Sequence, residues 1–161
     1  MSKIAFLCAG QGAQRPGMGK DLYENSPAAQ AALDRVAPLF GFDIKRTMFE
    51  GPQDMLNDTR YTQPCLMAAD YMAAQAALAE GIAPDMLAGF SLGEYPALAI
   101  SGALAETDAF ALIGKRAEAM ADAAEKTPGA MVAVLGCEVE KLQQLCSDYA
   151  QDEVLAPVNY L

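Results

Sequence analysis

The chain has 161 residues, a net charge of −10, and neither histidine nor tryptophan. Its length suits one domain, and 53% hydrophobic with 20% charged residues is a globular composition rather than a collagen-like, disordered or basic-tail one. Without imidazole the chain holds no Ser-His-Asp triad, Cys-His pair or His-ligated metal, and its acidity repels phosphate backbones, so nucleic acid is not an expected partner.

Residues 3–9 form a short apolar run ended by Gly10, which suits a strand buried on both faces and opens an α/β pattern. A glycine-rich loop runs on to Gly17. Ser26-Pro27 then supplies an N-cap and a proline at the first helical position, so a helix is expected from Pro27 to about Phe40. Pro52 to Asn57 reads as a short helical turn, and Thr62 or Gln63 ahead of Pro64 opens a long Ala/Met-rich helix that Gly81 closes. Pro84 resets the chain. Asp85 to Phe90 is a strand candidate, Leu92 to Ile100 a helix ended by Gly102, and Thr107 caps a further helix through about Glu125.

Beyond Pro128-Gly129 the texture changes to strand (Ala130 to Leu135), helix (Val139 to Ala150) and strand (Val154 to Asn159). The expected division is a larger unit over residues 1–126 and a smaller one over 127–161. The last strand lacks the covering helix that a parallel pair needs, so the chain reads as cut off.

Cys8, Cys65, Cys137 and Cys146 stand far apart with no C-x-x-C pair, and they read as small buried hydrophobes rather than metal ligands. The apolar run Ile4 to Ala9 is shorter than a signal-peptide core, and no stretch reaches membrane-spanning length. The expectation is a cytoplasmic protein with reduced thiols, no metal, no cofactor and no membrane partner.

Gly89-Phe90-Ser91-Leu92-Gly93 is a G-x-S-x-G sequence between a predicted strand and a predicted helix. In that context it is a nucleophile elbow: a sharp turn projects the serine hydroxyl, the glycines let neighbouring backbone pass, and the Leu92 N–H faces a developing oxyanion. The glycine loop after the first strand has Arg15 where a dinucleotide fingerprint needs its third glycine. It either supplies further oxyanion donors or is simply a tight βα connection.

Arg116 shares one helical face with Ala109, Ile113 and Met120, and that face is otherwise apolar. Its guanidinium either snorkels to water or forks onto a ligand carboxylate. Gln63, by itself, reads as a capping or solvated residue.

Gln11-Gly12-Ala13-Gln14 after the first strand, Gly89 to Tyr95, Arg116, and Ala156-Pro157-Val158-Asn159-Tyr160 together resemble one family across the whole chain. It is similar to the malonyl-CoA:acyl-carrier-protein transacylases, acyltransferases of fatty-acid synthesis with relatives in polyketide synthases. The resemblance implies an α/β-hydrolase-like large lobe, incomplete here, and the start of a ferredoxin-like small lobe. It implies Ser91 as nucleophile, backbone N–H groups of Gln11 and Leu92 as oxyanion hole, and Arg116 as the grip on the malonyl carboxylate. Gln63 and Met120 correspond to residues lining and shaping the acyl pocket, and Asn159, in the family's Asn-Tyr segment near the small lobe, to a substrate-binding residue. The implied partners are malonyl-CoA, acyl carrier protein, and a C-terminal segment carrying the catalytic histidine. Phe90 stands where many members have histidine. Without the later segment the serine has no base, so the 161 residues alone are expected to be inactive. A serine esterase, and a non-catalytic half-subunit or acyl-CoA binder, are the alternatives; a nicotinamide-binding module is disfavoured by Arg15.

Overall fold

The computed structural model describes residues 3–160. The chain is mixed α/β and mostly helical, and it divides into one unit ending at Thr127 and a second beginning at Pro128.

In the first unit β1 (Ala5–Cys8) pairs in parallel with β2 (Met86–Gly89), with Ala5 opposite Met86 and Cys8 opposite Gly89. Between them come α1 (Lys20–Asn25), α2 (Pro27–Val36), α3 (Ile44–Glu50), α4 (Gln53–Asn57) and α5 (Thr59–Ala79). A 3₁₀ turn at Ser91–Gly93 leads from β2 into α6 (Glu94–Ile100), and α7 (Glu106–Lys126) closes the unit. The strand β1 is not buried on both faces as its apolar run suggested. Leu7 is 79% exposed, because helices cover only one side of the two strands.

The helix α5 is the hub, packed against α7, α2, α6 and the short helices α1, α3 and α4. Leu33, Ile44, Met48, Met67, Met72, Phe110 and Ile113 fill the space between them and are almost fully buried. Phe110 stands edge-on to Tyr71 and Phe40, which ties α7 to α5 and to the segment that follows α2.

Two helix starts differ from the sequence expectation, each for a local reason. The helix α5 begins at Thr59 rather than at Thr62 or Gln63, because Asp58 caps it by accepting from the Arg60 N–H at 2.9 Å. Pro64 therefore lies inside the helix, where it leaves one carbonyl of the preceding turn without its N–H partner. The helix α7 begins at Glu106, so Thr107 is inside it and does not cap it. Glu106 is held by the Arg35 fork at 3.1 and 3.0 Å and by the Tyr71 hydroxyl at 2.6 Å. Its charge also suits the positive end of the helix. The helix α2 starts as expected, with Ser26 accepting from Ala29 N–H and Pro27 at the first position, although it gives way to a 3₁₀ turn at Ala37–Leu39.

In the second unit α8 (Val139–Tyr149) forms close to expectation, but the flanking segments expected as strands are not strands. Met131, Val132, Leu135 and Val154 are largely exposed, and neither segment has a paired neighbour to take its backbone hydrogen bonds. A strand pattern without a ladder partner does not make a strand. Among the described residues no helix is long and apolar enough to cross a membrane.

Candidate active site

Ser91 directly follows β2 and Phe90, and it adopts φ 54°, the left-handed region that side chains avoid. Such a turn costs on the order of 1–3 kcal/mol and persists only where its surroundings enforce it. The enforcement comes from close backbone approach. A Cβ at Gly89 would collide with the Gly93 carbonyl, and a Cβ at Gly93 would collide with the Cys8 and Ala9 carbonyls of the neighbouring strand end. The two motif glycines therefore serve packing density, while the strained dihedral falls on the serine itself. The Ser91 side chain stays exposed and the Leu92 side chain beneath it is fully buried.

The helix α7 brings Arg116 to this turn. Its Nη2 donates to Ser91 Oγ at 3.1 Å, its Nη1 donates to Gln63 Oε1, and the guanidinium lies 5.6 Å from the Tyr95 ring centroid. The predicted face is real: Ala109 and Ile113 are buried, Arg116 is half-buried, and Met120 opens toward solvent. Gln63 is fully buried on α5. Its Nε2 donates to Thr59 Oγ1 and to Met120 Sδ, each at 3.2 Å. Thr59 in turn donates to Gln11 Oε1 at 2.9 Å.

Five of the residues singled out from sequence, Ser91, Arg116, Gln63, Met120 and Gln11, thus belong to one hydrogen-bonded chain, and Leu92 adjoins it. Asn159 lies in the second unit and is exposed. Sequence reasoning missed Thr59 and Tyr95. The signal for Thr59 was its place one helical turn before Gln63, hidden when the helix start was put after it.

Arg116 has no carboxylate partner among the described residues, unlike Arg35 and Arg60. A half-buried guanidinium whose fork meets an amide oxygen, a hydroxyl and a ring is unneutralised, and a planar carboxylate is the acceptor it fits best. Asp70 shows the reverse imbalance. Its Oδ2 is buried without a partner, and burial pushes its pKa up to about 7. Asp70 lines a cleft of about 250 Å³ between α5 and β1, where burial, and after it the Asp70 charge, pushes the Cys8 thiol up to about 11. The four cysteines are free, and no three acidic or cysteine side chains converge on a metal position among the described residues.

The arrangement is thus a serine presented on a strained turn with an arginine that lacks a carboxylate partner beside it. The acyl transferase domain family matches residues 5–157, and the chain belongs to it. Its relatives include malonyl CoA-acyl carrier protein transacylases: the one from Bacillus subtilis is 41% identical over 152 residues, covering 94% of this chain and 48% of the relative. MCAT from Streptococcus pneumoniae superposes with a TM-score of 0.88 at 44% identity, over 98% of this chain and 52% of that one. A malonyl-transacylase solved in complex with a type II PKS acyl-carrier protein gives 0.87 at 32% identity, over 99% of this chain and 52% of that one. The chain spans about half the length of the relatives it matches, and its fold corresponds to their N-terminal half.

Proposed function

We propose that this chain carries the nucleophile and carboxylate-clamp half of a malonyl-CoA:acyl-carrier-protein transacylase, serving fatty-acid or polyketide synthesis in the cytoplasm. The observation that carries this reading is Arg116, a fork with no carboxylate of its own, 3.1 Å from the nucleophile's oxygen. An esterase has no use for such a group. The α/β-hydrolase-like lobe and the beginning of a ferredoxin-like lobe over residues 127–161 belong to the same proposal, as do the acyl carrier protein partner and a substrate-binding role for Asn159.

In the proposed reaction Ser91 Oγ attacks the thioester carbonyl of malonyl-CoA and gives its proton to a base. The tetrahedral oxyanion is held by the Gln11 and Leu92 backbone N–H groups. Collapse expels the CoA thiolate, which takes up the proton, and leaves malonyl esterified to Ser91. The phosphopantetheine thiol of the carrier protein then attacks that ester by the same steps in reverse order. Arg116, kept in place by Gln63 and Tyr95, pairs with the free malonyl carboxylate, and Met120 bounds the acyl group. The base is a histidine from the C-terminal half, since these residues contain none.

The test is incubation with radiolabelled malonyl-CoA. The 161 residues alone are expected to label Ser91 negligibly, because loss of the base in a comparable triad costs on the order of a million-fold in rate. Adding the missing C-terminal segment should restore labelling and transfer. Rapid stoichiometric labelling without that segment would overturn the claim that the base is absent. Failure to label Ser91 with the segment bound would overturn the transacylase reading.

A further inference from the structure

Gln63 sits fully buried between a cation and a thioether, and its amide has two ends of similar shape. Arg116 only donates, so the carbonyl end must face it. The amide nitrogen then has two protons to place. One points at Met120 Sδ, a weak acceptor, and the other at Thr59 Oγ1, both at 3.2 Å. A hydroxyl carries a single proton. Because Thr59 Oγ1 accepts from Gln63, its own proton is released to Gln11 Oε1 at 2.9 Å. Every donor in the series therefore points the same way, from Arg116 to Gln63, to Thr59, to Gln11.

Reversing Gln63 would set its NH₂ against the guanidinium and its carbonyl against the sulfur. It would also draw the Thr59 proton away from Gln11. Thr59 itself is well fixed, since it is the first residue of α5 and follows the capping Asp58 directly. The two ends of the series are the carboxylate clamp and the side chain of the loop residue whose backbone N–H is assigned to the oxyanion.

We propose that Thr59 is a positioning residue: its hydroxyl holds the Gln63 amide in the orientation that the Arg116 clamp requires and couples that clamp to the loop bearing Gln11. The selectivity effect below rests on the malonyl reading of Arg116, whereas the coupling itself does not.

The experiment uses the 161-residue chain, with side-chain amide signals of Gln63 and Gln11 followed by NMR and binding of malonyl-CoA and acetyl-CoA followed by calorimetry. Thr59→Val keeps the shape and removes the hydroxyl; Thr59→Ser keeps the hydroxyl. Thr59→Val is expected to move both amide signals and to weaken malonyl-CoA binding roughly three- to tenfold, the range of one hydrogen bond, with acetyl-CoA unchanged. Thr59→Ser is expected to restore both. Arg116→Ala should shift the Gln63 and Gln11 signals in the parent chain but only the Gln63 signal in the Thr59→Val background.

A Gln11 signal that responds equally to Arg116→Ala in both backgrounds overturns the coupling. So does a Thr59→Val chain whose two amides keep their original positions. Arg116→Ala also separates the two claims. An unchanged malonyl-over-acetyl preference in that variant overturns the carboxylate reading and the selectivity effect built on it. A preference lost in Arg116→Ala but retained in Thr59→Val overturns the role of Thr59 alone.

Discussion

Three arginines line the seam where α5 meets α7, and they differ in what they find there. At one end Arg35, reaching from α2, forks onto Glu106, which also accepts from Tyr71, so three helices share one carboxylate. At the other end Arg60 meets Asp122 and Glu125, both well exposed, at 3.2 and 2.6 Å. Between them Arg116 meets Gln63 and Ser91 and no carboxylate among the described residues. The outer two arginines are neutralised by carboxylates of the fold itself. The middle one keeps its charge uncompensated, and it does so beside Ser91, where the proposed function needs a carboxylate clamp.

Removing each arginine's interaction in turn gives different readouts. On the proposed reading, Arg116→Ala, tested together with the C-terminal segment that reading requires, is expected to lower malonyl transfer by about a hundredfold or more, with acetyl transfer nearly unchanged; steady-state kinetics on the two thioesters checks it. Equal loss on both substrates would remove the distinction drawn for the middle arginine.

Glu106→Gln leaves the Arg35 fork without its charge partner and weakens the bond from Tyr71. It should cost about 1–3 kcal/mol in urea unfolding. The same pair has a pH signature. Arg35 holds the Glu106 carboxyl below its ordinary range. Its contribution is therefore present above the unfolded-state pKa and is lost as pH falls through the depressed folded-state value.

Asp70, the carboxylate with no cation, should behave in the opposite sense. With a folded pKa raised to about 7, it binds its proton more tightly folded than unfolded. Stability from this group is greatest at acid pH, declines as pH rises from about 4 through about 7, and is level beyond. Unfolding curves of Asp70→Asn across that range should lose this decline while keeping the acid limb due to Glu106. The smallest effect is expected from Arg60→Ala, because exposed ion pairs are screened and their long side chains lose entropy on pairing. Its melting curve should overlay the parent's.

The site was legible in the sequence wherever its signal was local. G-x-S-x-G between an apolar run and a helical pattern marks a turn by spacing alone, and the structure puts φ 54° on Ser91. The apolar face of α7 is written in spacings of three and four, which is why Arg116 stood out. What failed was partnership. The segments Ala130–Leu135 and Val154–Asn159 have strand-like composition but no ladder neighbour. Thr107 looked like a cap, but the start of α7 is set by Glu106, whose partners Arg35 and Tyr71 lie far away in sequence. Pro64 looked like a helix opening, and that placement hid Thr59.

The sequence by itself determined that the chain has a strained serine turn and an arginine on an apolar helical face, because both follow from dihedral preference and helical period over a few residues. Only the tertiary structure decided which arginine goes without a carboxylate. Gln63 and Arg116 are 53 residues apart, and charge compensation depends on which side chains the packed helices bring within hydrogen-bond reach.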